Sequence, residues 1–160
     1  MGIKTTPFSW VGGKTNINPK TVLKKGWVIN TCPEALDCVG VQFTASEDFD
    51  FLPGQPARNI LFSERVSLPK NIYMWFLQRS SWTRLGLYMQ DSLYDPDYGN
   101  GEQGHATTGA TFVNLGSDPI HINKGERIVQ ALFFKGDVAH KYEGHYSNVE
   151  NIKSQYAKKP

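Results

Sequence analysis

Two short runs in this chain carry the residue types that chemistry needs. The first is Gln78-Arg79-Ser80-Ser81-Trp82-Thr83-Arg84-Leu85-Gly86-Leu87, and the second is the acidic turn Asp95-Pro96-Asp97-Tyr98. Ser80 and Ser81 are good N-cap residues and Gly86 closes the segment, so the spacing predicts a helix of one or two turns. The start of such a helix exposes unpaired N–H groups that attract anions. Arg79 and Arg84 add charge, and a guanidinium can grip a phosphate through two hydrogen bonds at once. In the second run, Asp95 and Asp97 point to one side of the chain if the backbone is extended. One carboxylate can then take a proton from water while the other fixes the loop. A phosphate cradle followed by a base points to chemistry on a nucleoside triphosphate. Each half has a plainer alternative: a serine cap beside solvated arginines, and turn aspartates bonded to their own backbone.

These runs need elements to hold them. Ile72 to Leu77 is an apolar, aromatic run that reads as a buried strand ending at the phosphate motif. Val39, Val41 and Phe43 alternate after Asp37, which suggests a half-buried strand there. Arg127 to Phe134 reads as a strand after the Lys124-Gly125 turn. The stretch following Ser63–Pro69 and the one from Gly26 to Thr31 also read as strands. Few windows show a helical period apart from the one at Ser81. The 15 Gly and 9 Pro are scattered, punctuating many short strands. Asn100 to Gly109, rich in Gly and Thr, reads as an elongated, solvent-exposed hairpin tip; it carries Glu102 and His105, either of which can act as acid or base. The expected fold is all-β, of distorted jelly-roll character with one short helix. With 160 residues and no repeat or linker, one domain over residues 1–160 is expected, with residues 140–160 as a flexible tail.

In this order the motifs resemble those of the dUTPase and dCTP deaminase superfamily, over roughly residues 26 to 135. The resemblance rests on Arg79 to Leu87, Asp95-Pro96-Asp97-Tyr98-Gly99, Asn114 and Gly125-Glu126-Arg127-Ile128-Val129-Gln130, and more weakly on Glu34-Ala35-Leu36-Asp37. It implies the β-clip fold of the dUTPase type. dUTPases cleave dUTP to dUMP and pyrophosphate. By that resemblance Asp95 activates water, and Asp97 and Tyr98 match the second Asp and the Tyr that packs on deoxyribose. Arg79, Ser80, Ser81 and Arg84 fall in the phosphate-binding motif, Arg79 as a brace more than a contact, and Gln130 supports that motif. Asp37 would organise water around a Mg2+ ion on the triphosphate. Relatives are trimers with active sites shared between subunits, so a homotrimer acting on a deoxyribonucleoside triphosphate is expected.

The deaminases of the superfamily pull the other way at some positions. They read Asp-Pro-Gly and then an aromatic, so Pro96 is deaminase-like and Asp97 is not. They also need a Glu three residues before the Asn of the next strand, where this chain has Thr111, which cannot shuttle protons as a carboxylate does. Glu102 or His105 would have to replace it. Many trimeric dUTPases end in a glycine-rich arm carrying Arg and Phe. Here the corresponding stretch is Lys141-Tyr142-Glu143-Gly144-His145-Tyr146, closer to the deaminase pattern. The expected activity is dUTP diphosphatase. The alternatives are a dCTP deaminase or a bifunctional enzyme, and then a non-catalytic trimer of the same fold.

Composition sets limits. The 17 basic and 15 acidic side chains leave a net charge of +2, too small to argue for nucleic-acid binding. No apolar run approaches the roughly 20 residues of a membrane span. No signal-peptide pattern follows Met1, so cytoplasmic residence is expected. Cys32 and Cys38 lack partners at zinc spacing and are expected to be free thiols. The His-x-Glu and Pro-Cys-x-x-Cys signature of zinc deaminases is absent.

Overall fold

A computed structural model describes residues 16–100 and 104–136. Among them the order is α1 (Pro19–Lys24), β1 (Val28–Ile29), β2 (Val41–Thr44), β3 (Phe49–Phe51), β4 (Arg58–Val66), β5 (Ile72–Gln78), α2 (Ser80–Arg84), β6 (Leu87–Met89), β7 (Ser92–Tyr94), β8 (Ala106–Asn114), β9 (Ile120–Ile122) and β10 (Arg127–Lys135). The strands build two four-stranded sheets, β1-β4-β8-β6 and β2-β10-β5-β7, and a β3-β9 ribbon. Strands far apart in sequence, such as β2 and β10, pair antiparallel, as in a jelly roll. The all-β expectation holds.

Alternation explains why the sheets face each other. In β5, Ile72, Met74 and Phe76 are buried while Trp75 and Leu77 look outward. In β4, Ile60, Phe62, Glu64 and Val66 point inward. Phe43 and Phe76 from one sheet meet Phe62 from the other, edge to face, with centroids 5.0–5.9 Å apart. Such contacts add to the burial that joins the layers.

The fold departs from the sequence reading in four places. There are two short helices among the described residues, not one. In α1, Asn18 accepts a hydrogen bond from the Lys20 N–H and Pro19 opens the helix, yet only Pro19 and Val22 are buried, so no apolar period marks it. The strand expected from Gly26 to Thr31 shrinks to Val28–Ile29. The strand after Asp37 begins only at Val41, and all four of its residues are buried rather than half of them. Residues 106–109 are no exposed tip: they lie buried in β8, paired with β4. Glu102 and the tail residues Tyr142, His145 and Tyr146 lie outside the described residues.

Candidate functional site

Arg79 decides how the phosphate motif leaves the sheet. Its N–H donates to the Ile128 carbonyl at 3.0 Å, so the chain stays with β10 for one residue beyond β5 before it turns. Arg79 therefore occupies the N-cap position, and no side chain caps α2. This corrects the capping role expected of Ser80 and Ser81. Both become the first helical residues, with exposed hydroxyls. Five residues sum to little dipole, so α2 offers an anion its unpaired N–H groups more than a macrodipole. Gly86, at φ +95°, ends the helix as expected.

One flank of α2 is stapled to β10. The Trp82 indole donates to the Arg127 carbonyl at 2.9 Å, and the Arg79 guanidinium reaches the same oxygen at 3.5 Å. A cleft of about 260 Å³ opens there, lined by Cys32, Glu34, Arg79, Ser81, Trp82 and Arg127 among others. Cys32 and Cys38 are both free, and burial pushes the Cys32 thiol up. Arg84 lies apart from this cleft, lining a second one of about 410 Å³ with Gly86, Gly116, Asp118 and His121.

Asp37 sits in the turn before β2. The Cys38 N–H donates to one carboxylate oxygen at 2.7 Å and the Gln42 amide to the other. These bonds, the Cys38 N–H first, then the Gln42 amide, with the Arg79 charge adding to them, hold the Asp37 carboxyl below its ordinary range against the opposing effect of partial burial. Gln42 pairs across the sheet with Gln130, whose side chain lies over Gly40. A Cβ on Gly40 would stand 2.5 Å from the Ala131 carbonyl oxygen and 2.7 Å from Gln130 Cγ, so only glycine allows this approach. Asp37, Gln42, Gln130 and Arg79 thus gather at one corner of the sheet. Among the described residues no three His, Cys, Asp or Glu side chains form a metal-binding group. The corner does hold an ionised carboxylate beside a buried Gln42 Oε1 that has no partner among the described residues. Such acceptors fit the waters of a hydrated Mg2+ better than the ion itself.

The acidic turn lies elsewhere. Asp97 has φ +68°, so the backbone is not extended and the two carboxylates do not stand side by side as expected. Asp97 instead accepts from the Asn100 amide at 3.2 Å, fixing the loop. Asp95 is exposed, and its carboxylate accepts no hydrogen bond among the described residues. Tyr98 is 3% exposed, donates from its hydroxyl to the Thr107 carbonyl at 2.7 Å and sets its ring edge-on to Tyr94. Within this chain it is a core residue. Because Tyr94 pairs with Met74, Asp95 lies near the start of β5, whereas Arg79 and Ser80 follow its end. At the usual rise of a strand the two halves are about 20 Å apart.

Thr111 pairs with Asn59 on β4, and its carbonyl accepts from the Gln90 N–H at 2.9 Å. The residues flanking it are thus uncharged amides. His105 is held by the Gly26 carbonyl at 2.6 Å. Asn114 is a loop fastener: its amide donates to the Phe51 and Asp118 carbonyls and its oxygen accepts from the Gly116 N–H. Two residues escaped the sequence reading, Gln42 and the Trp82 indole. A glutamine inside the apolar run Val41-Gln42-Phe43 was the available signal for the first.

Residues 56–136 match the family model described as dCTP deaminase-like. A probable deoxyuridine 5′-triphosphate nucleotidohydrolase of Methanopyrus kandleri is 36% identical over 81 residues, covering 51% of this chain and 49% of that protein. A dCTP deaminase of Sulfurisphaera tokodaii is 26% identical over 102 residues, covering 61% and 52%. The chain spans about half the length of these curated relatives. The crystal structure of a dUTPase from Streptococcus mutans superposes with a TM-score of 0.57 at 21% identity, over 68% of this chain and 87% of that one. The β-fold is of the dUTPase type. No helix among the described residues is long and apolar enough to cross a membrane.

Proposed function

This chain belongs to the dCTP deaminase-like family, and within it we propose that it hydrolyses dUTP to dUMP and pyrophosphate. The observation that carries this reading is Thr111, flanked by Asn59 and Gln90, where a deaminase needs a carboxylate. The chain's own residues would divide the work as follows. Asp95, exposed and with a carboxylate that accepts no hydrogen bond among the described residues, takes the proton from a water that attacks the α-phosphorus in line. Ser80, Ser81 and the first N–H groups of α2 receive the phosphate oxygens as charge builds. Arg79 braces the motif through the Arg127 carbonyl, Arg84 brings charge to the far flank, and Gln130 supports the corner at Gly40. Tyr98, anchored by its hydroxyl, fixes the turn at the deoxyribose. Mg2+ bound with the triphosphate would neutralise its charge, with Asp37 accepting from its waters.

With Asp95 and Ser80 about 20 Å apart along β5, one copy's Asp95 would serve another copy's phosphate cradle, in a homotrimer. The outward apolar residues Trp75, Leu77 and Leu93, which are 39%, 39% and 62% exposed, give such an assembly a surface to cover. The second reading, dCTP deamination alone or in a bifunctional enzyme, is favoured by Pro96 and by the deaminase relative, and would need a replacement acid such as Glu102 or His105.

Product analysis decides between them. The protein is incubated with dUTP and with dCTP, with and without Mg2+. Pyrophosphate and dUMP from dUTP alone is the expected outcome. Ammonia from dCTP would establish deamination instead, and no turnover of either would leave a non-catalytic nucleotide binder.

A further inference from the structure

Gln42 is 1% exposed, yet only half of its amide is satisfied. Nε2 donates to Asp37, while Oε1 is buried without a partner among the described residues. The orientation is not interchangeable, because an amide facing a carboxylate must present its NH2 end; oxygen against oxygen repels. Oε1, the other end of the same planar group, therefore sits beside the Asp37 carboxylate. No cationic side chain lies within ion-pair distance of Asp37: among the described residues the one such pair is His121–Asp50. Two neighbouring oxygen acceptors thus share this corner, and a buried acceptor such as Oε1 is seldom left without a donor. Water polarised by a cation is a strong donor to both.

We propose that Gln42 is a positioning residue of the cation site. It aims the Asp37 carboxylate, and its Oε1 accepts a hydrogen bond from the hydration shell of a divalent cation carried by the triphosphate. This rests on the nucleotide reading above and adds a residue that neither the motifs nor the resemblance marks. Gln42 stands directly across from Gln130, which stands in turn across from Leu77, two residues before Arg79 and the phosphate motif.

The test is calorimetric binding of non-hydrolysable imido analogues of dUTP and dCTP, with EDTA and with excess Mg2+. The wild-type protein gains affinity with Mg2+. Gln42→Leu keeps the Mg2+-free affinity and loses about 10- to 100-fold in the Mg2+-dependent part. Gln42→Met, of similar length, takes its place if the leucine variant does not melt cooperatively. Asp37→Asn shows the same selective loss, and the double variant is no worse than Asp37→Asn alone, since both residues act on one shell. A full Mg2+ gain in the Gln42 variants, or additive losses in the double variant, overturns the assignment. A wild-type protein that binds an analogue with no Mg2+ gain overturns it while leaving the nucleotide reading intact. Binding of neither analogue overturns both. Binding of the dCTP analogue alone moves the substrate reading, and the Gln42 cycle still decides the assignment.

Discussion

Asp95 and Asp97 share a turn but not an environment. Asp97 adopts a left-handed backbone and its carboxylate accepts from Asn100, whereas the Asp95 carboxylate is exposed and accepts no hydrogen bond among the described residues. Asp95→Asn is expected to lower turnover of dUTP by about 10²- to 10⁴-fold with nucleotide affinity nearly unchanged, as read by steady-state kinetics beside calorimetry. Unchanged turnover would remove Asp95 from the mechanism. Glu64 poses a different residue-scale question. It is fully buried, accepting the Thr44 N–H at 2.8 Å and the Thr44 hydroxyl at 2.9 Å, and burial raises its carboxyl above the ordinary 4.5. The folded protein then holds this proton to higher pH than the unfolded chain does. The stability from this group is present in acid and is lost as pH rises from 4.5 through the raised folded value. Glu64→Gln is expected to flatten that decline, so urea midpoints at acidic and neutral pH should lie closer together than in the parent. An unchanged gap would mean that other groups set it.

At the scale of elements, α2 and β10 behave as one unit through the Arg127 carbonyl. Trp82→Phe keeps the ring but removes the shorter of the two hydrogen bonds to that oxygen, and is expected to cost about 1 kcal/mol in urea unfolding. KM for the nucleotide should rise as well, because α2 carries Ser80 and Ser81. A rise in KM without loss of stability would place Trp82 at the ligand instead. The end of α2 was legible in Gly86, a local requirement for positive φ. Its beginning was not, because the Arg79 N–H is claimed by Ile128, a partner far away in sequence. For α1 the readable mark was Asn18-Pro19 rather than periodicity, since a helix of six residues with two buried positions has none.

For the whole molecule, the separation of the two motifs along β5 makes assembly the central question. Asp95→Asn and Ser80→Ala, each impaired alone, are expected to recover activity when unfolded and refolded together. In randomly mixed trimers roughly a quarter of sites formed between copies would combine both intact residues. No recovery would mean that each chain closes its own site, and the shared-site reading would fall.

The sequence by itself determined which residues are candidates for chemistry and that short strands position them. Both facts are local: alternation in Ile72–Gln78 and Arg127–Lys135, turn residues between them, and motifs in a fixed order. Only the tertiary structure decided what those residues face. Pairing of β2 with β10 brought Gln42 opposite Gln130, and pairing of β5 with β7 put Asp95 at the far end from Ser80. Packing of the turn against β8 turned Tyr98 inward onto Thr107. These are distances between strands remote in sequence, set by which sheet faces bury together, and no local pattern encodes them.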